Sequence, residues 1–180
     1  MAMLNVQALT RHARPDAQGR FDVTGAAALA LGFVALSALA ARAVPSVRDD
    51  RAVRRWYRAL DKPEATPPDP VFGIVWPAIE AALAFGGWRL LRAPASARRN
   101  AALGLLAFNL AQIPGYTALF FGAKSVAGGL ASASAIVLGA WAYVATAWSV
   151  DRPAALAGLP LAGWTSFAEY LSVEIFRRNA

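Results

Sequence analysis

Three stretches without a single charged side chain decide what this chain can become. Nineteen residues separate Asp22 from Arg42, 24 separate Arg99 from Lys124, and 26 separate Lys124 from Asp151. A water-soluble helix needs a polar stripe along one face, and none of these runs offers one. Of the 180 residues 57% are hydrophobic and only 16% charged, which excludes an ordinary soluble domain and a disordered chain alike. The expected fold class is all-α, a polytopic membrane protein.

Crossing the hydrocarbon layer takes about 20 helical residues. Five segments meet that length, at about 23–41, 70–91, 100–122, 126–150 and 153–176, so the expectation is a bundle of five transmembrane helices over 23–180. Membrane barrel strands would alternate in hydrophobicity, and these runs do not. Residues 1–22 read as a polar, basic N-terminal extension carrying Arg11, Arg14 and Arg20. A basic lead before an apolar run is also the pattern of a cleaved signal peptide, and Ala38-Leu39-Ala40 offers a small-x-small site. The run of 19 exceeds the usual apolar core of such peptides, so it is read as a retained span. One connection is long: 45–69 carries Trp56, Tyr57 and Leu60 among its charges and is expected to fold onto the bundle.

The formal net charge is +7, and 11 of the 18 basic residues cluster in two loops and their edges. This is membrane-flank charge facing lipid headgroups; no soluble part is left to bind nucleic acid. Cysteine is absent and His12 is the single histidine, so neither a thiol nucleophile nor a His- or Cys-ligated metal is expected. No acid–base dyad points to a catalytic residue.

The long loop reads Trp56-Tyr57-Arg58-Ala59-Leu60-Asp61-Lys62-Pro63-Glu64-Ala65-Thr66-Pro67-Pro68, followed by Val71-Phe72-Gly73-Ile74-Val75-Trp76. This resembles the tryptophan-rich sensory protein/translocator protein family (TspO/MBR), whose loop reads WYxxLxKPxxTPP and whose second helix opens vFgxVW. Tyr116-Thr117 with Phe120-Phe121-Gly122 is similar to the family's third-helix ending. Pro160, Trp164, Phe167, Ala168, Leu171, Ile175 and Asn179 fit its fifth-helix pattern. Departures fall at Ala65, Pro77, Glu80, Ile113, Leu161 and Ser172, where the family carries other, mostly polar or aromatic, residues.

The resemblance implies a five-helix bundle, a homodimer or part of a larger membrane complex, and an internal pocket covered by the first loop. Its ligand would be a porphyrin or related tetrapyrrole, or a sterol-like molecule, with no cofactor required. Trp56, Tyr57, Trp76, Glu80, Tyr116, Phe120, Trp164, Phe167 and Ala168 are the expected ligand-binding residues. Leu60, Lys62, Pro63, Thr66, Pro67 and Pro68 would form the lid. The function implied is sensing, transport or regulation of tetrapyrroles; light-dependent porphyrin breakdown would draw on Trp76 and Trp164 as redox-active aromatics. A different class fits the departures: a non-catalytic assembly subunit that keeps the bundle and has lost the pocket.

The residues themselves leave several readings open. Trp76 and Glu80 share a helix face at i and i+4, yet tryptophans also serve as packing anchors or interfacial belt residues, the reading taken for Trp88, Trp141 and Trp148. Glu80, near mid-membrane, needs a cavity or a partner: either a ligand or a neighbouring helix. An ionised Glu80 would repel a porphyrin's carboxylates, so the ligand end there is neutral or cationic unless the acid is protonated. Glu169 is read as structural, reaching towards the headgroups. Gly128, Gly129, Ser132, Ala133 and Gly139 form a small-residue surface, for packing within the chain or for a dimer seam. Five spans put the two ends of the uncleaved chain on opposite sides, so cysteines engineered at positions 10 and 179 should label from opposite faces of the membrane.

Overall fold

The computed structural model describes residues 14–45 and 50–180; Arg11, His12, Arg48 and position 10 lie outside them. Five long helices form the bundle: α1 (Val23–Arg42), α3 (Asp69–Arg92), α4 (Ala97–Thr117), α5 (Val126–Trp148) and α7 (Leu159–Asn179). A short helix in the long loop is α2 (Arg51–Ala59), and α6 (Arg152–Leu156) precedes α7. No strand occurs among the described residues. With α4 extended to Gly122, four helices (α1, α3, α4 and α5) are long and apolar enough to cross a membrane. The fifth, α7, has 21 residues, packs along α5, and is more polar because Glu169, Glu174, Arg177 and Arg178 lie in its second half. Large apolar side chains face outward along the helices, among them Leu36, Leu39, Ile74 and Leu138, each at least 60% exposed. Lipid is the medium that suits such a surface.

Local chemistry sets the helix starts. Asp22, Asp50, Ser96, Ser125 and Asp151 each accept a backbone N–H in the first turn of α1, α2, α4, α5 and α6, the usual role of short polar side chains there. The start of α3 differs from these. Pro68 holds the capping position without a side-chain bond, while Asp69 and Pro70 lie inside the first turn. The fourth segment ends at Trp148, and the fifth is broken into α6 and α7, because Tyr143 needs room at the bend. Its buried phenol donates to the Ala154 carbonyl at 3.0 Å, and a Cβ on Gly158 would lie 2.6 Å from its ring. The third segment begins at Ala97 and finishes as a single π turn, Ala118–Gly122, with Lys124 at φ 51° closing the corner into α5.

Packing explains the small residues of α5. A Cβ on Gly139 would lie 2.9 Å from Asn109 Oδ1 and the Phe108 ring, and one on Gly129 would overlap Phe120. Gly129, Ser132, Ala133 and Gly139 are buried within the chain, and Gly129 and Gly139 seat the π turn and α4. One end of the bundle is solid, filled by Leu83, Leu90, Ala102, Leu106, Tyr143, Ala154 and Ala155. Two charged contacts tie that end. Buried Arg99 donates to the carbonyls of Leu90, Leu91 and Gly19, satisfying acceptors that the end of α3 leaves open. Through Gly19 and the Phe21–Leu91 and Ala95–Gln18 backbone bonds, residues 18–21 dock on the α3–α4 corner.

Arg89 forks onto Asp151 with bonds of 2.7 and 3.2 Å. Desolvation opposes the charged carboxylate, but the Arg89 guanidinium and the Ala154 amide outweigh it and hold Asp151 below the ordinary carboxylate range. Asp151→Ala removes this pair and the α6 cap together and should cost about 1–3 kcal/mol, read as an earlier thermal transition in detergent. A lowered carboxyl contributes fully above about pH 4 and loses its contribution as pH falls through the lowered value. The difference between wild type and Asp151→Ala should therefore close in that acid range.

Candidate ligand cavity

Opposite the solid end the bundle is hollow. A cavity of about 760 Å³ lies between α1, α3, α4, α5 and α7, under the loop that carries α2. Its wall is mostly aromatic and aliphatic, with Phe72 and Trp76 from α3, Tyr116 from α4, Phe120 and Phe121 from the π turn, and Trp164 from α7. Tyr116 stacks on Phe120 at 5.4 Å, and Phe72 meets Trp164 edge-on at 5.6 Å. Thr165, Ser172 and Thr117 add hydroxyls, and Arg42, Asp69 and Glu80 are the charged residues of the lining.

The roof follows from the loop sequence. In α2, Arg51, Arg54, Arg55 and Arg58 fall on one face, and buried Val53 with half-buried Trp56 and Tyr57 on the other. Trp56 lies edge-on to Phe120 at 5.2 Å, and Tyr57 contacts both Phe120 and Phe121. Lys62 ends α2 by donating to the Tyr57 and Leu60 carbonyls, with its ammonium 4.7 Å from the Tyr57 ring. Thr66 closes the next turn on the Pro63 carbonyl. Asn179, at the end of α7, exchanges two hydrogen bonds with the Asp61 backbone. Burial, with Asp69 nearby, pushes the Tyr57 phenol above its ordinary range, so it stays a neutral donor.

Eight of the expected binding and lid residues line the cavity: Tyr57, Thr66, Trp76, Glu80, Tyr116, Phe120, Trp164 and Ala168. The others support it from outside the lining. Trp56 backs Phe120, and Phe167 leans on Trp164 at 5.8 Å. Leu60, Lys62, Pro63, Pro67 and Pro68 belong to the strap, with Pro63 buried. Sequence reasoning missed Arg42 and Asp69 as lining groups; their positions at helix ends gave no sign that they border the cavity. Phe72, Phe121 and Ser172 lie inside quoted motif positions; a helical-wheel reading from Trp76 and Ala168 would have found Phe72 and Ser172, whereas Phe121 depends on the π turn. Glu169 makes a structural contact between helices: Ser134 of α5 donates to it at 2.6 Å.

Fold and site together define a polytopic helical membrane protein with an internal, loop-roofed cavity. Residues 29–178 match the TspO/MBR family, and the chain belongs to that family. It is 31% identical over 128 residues to the translocator protein of Homo sapiens, covering 69% of this chain and 75% of that one. The tryptophan-rich sensory protein of Cereibacter sphaeroides is also 31% identical, over 69% and 77%. Protein CrtK of Rhodobacter capsulatus is 29% identical over 69% and 78%.

Burying an aromatic side chain is worth about 1.5–3 kcal/mol, enough to hold a short strap and too little to hold the bundle. Trp56→Ala should therefore speed tryptic cleavage between Arg51 and Lys62 while the helical circular dichroism stays unchanged.

Proposed function

We propose that the cavity binds a tetrapyrrole and that the protein acts in tetrapyrrole sensing, transport or regulation. The aromatic cavity of about 760 Å³ carries this reading, since it lies within the range of small-molecule sites, about 300–1,000 Å³. Indole and phenol rings offer flat faces to a macrocycle and a few polar tips to orient it. Relatives named as a translocator protein and a tryptophan-rich sensory protein are consistent with such a role.

The assembly-subunit reading requires a bundle that has filled its pocket. Three of the departures that favoured it, Pro77, Ile113 and Ser172, line the open cavity. Leu161 is fully buried in the core, and Ala65 is exposed in the strap. The cavity thus survives the substitutions, and the ligand-binding reading is preferred.

Titration of the detergent-solubilised protein with protoporphyrin should give saturable tryptophan quenching. Trp76→Leu and Trp164→Leu should each weaken binding about tenfold, the loss of one stacking surface at about 1.4 kcal/mol. No saturable quenching by folded wild-type protein would return the assembly-subunit reading to first place.

A further inference from the structure

The cavity face of α3 repeats at helical spacing: Gly73, Trp76, Pro77 and Glu80 all line the cavity. Pro77 has no N–H to give the Gly73 carbonyl, so this acceptor lacks its helical donor beside the cavity. Glu80 lies about 15 Å along α3 from its start, far from either headgroup layer. Among the described residues it makes no hydrogen bond or ion pair; Arg42, on α1 and also in the lining, acts on it only electrostatically. An unpaired acid at that depth is costly and is kept where a cavity or a partner compensates it. With Arg42 as the one base and Asp69 and Glu80 as the two acids, the lining carries a formal charge of +1 − 2 = −1.

We infer that the wall formed by Gly73, Trp76 and Glu80 is a subsite for a ligand nitrogen that donates hydrogen bonds, a protonated amine being its strongest form. A carboxylate and an indole face on adjacent helical turns attract the same group, through a charge-assisted hydrogen bond and a cation–π contact. The inference rests on the ligand-binding reading of the cavity and adds which end of the ligand goes where. Nitrogen donors face Glu80. A ligand carboxylate is repelled there and turns towards Arg42, the one basic residue of the lining. Selectivity between ligands of one shape then follows the charge at the buried end.

Two porphyrins with the same ring test it: protoporphyrin, with its two carboxylates, and its derivative in which both carboxylates are amides ending in primary amines. Affinities from tryptophan quenching at pH 7 are compared between wild type, Glu80→Gln and Asp69→Asn, each checked by thermal melting. The comparison across variants cancels partitioning of the probes into detergent. Wild type should prefer the amine-bearing probe, and Glu80→Gln should cut that preference about tenfold, a larger loss than Asp69→Asn produces. A preference identical in wild type and Glu80→Gln, or lost only in Asp69→Asn, overturns the subsite while leaving the cavity reading intact. Failure of folded wild type to bind either probe overturns both.

Discussion

Inside a bilayer no water is available to satisfy the backbone, so every peptide group in the apolar layer must find a partner within the protein. That constraint makes the chain helical and makes each proline in a span a local problem. Pro114 in α4 deprives the Leu110 carbonyl of its donor, and buried Ser37 of α1 supplies one at 2.6 Å. One hydroxyl thereby stitches α1 to α4. Pro77 in α3 poses the same problem for Gly73, and there the neighbour is a cavity. Beyond these two prolines, the bundle is divided into a packed part and a part left hollow.

The division runs along the length of the bundle. At the solid end, glycines and alanines let α3, α5 and α6 approach closely around Tyr143, and the Arg89–Asp151 pair and Arg99 tie the corners. Cation–π pairs of Arg92 on Trp88 and Arg152 on Trp148 place basic and aromatic groups where the interface with headgroups is expected. At the hollow end α3 and α7 meet mainly through Phe72 and Trp164. The strap closes this end with a basic outer face and an aromatic inner one, held by the π turn below and by Asn179 beside it.

Much of this was legible from residue order. Uncharged runs gave the spans, and the Trp56–Pro68 motif gave the strap and its roof position. The i, i+4 spacing of Trp76 and Glu80 put both on the cavity wall. The break before α7 was not legible, because it depends on the Tyr143 ring lodged against Gly158, a contact between residues 15 positions apart. Nor was the place of Arg42 and Asp69 in the cavity lining, since a charged residue at a helix end reads equally as a headgroup contact. The partner of Glu169 was not legible either: Ser134 lies on another helix.

Sequence alone determined the medium, the secondary structure and the family. These follow from local quantities: runs of apolar side chains, the intolerance of lipid for unpaired backbone, and a contiguous motif. Tertiary structure decided the rest. Whether the small residues of α5 serve this chain or a partner, where the bundle is solid and where hollow, and which polar groups look inward all depend on which helix lies beside which. That arrangement comes from the fit of surfaces, Gly139 against Phe108 and Gly129 against Phe120, between residues remote in sequence whose pairing no local pattern specifies.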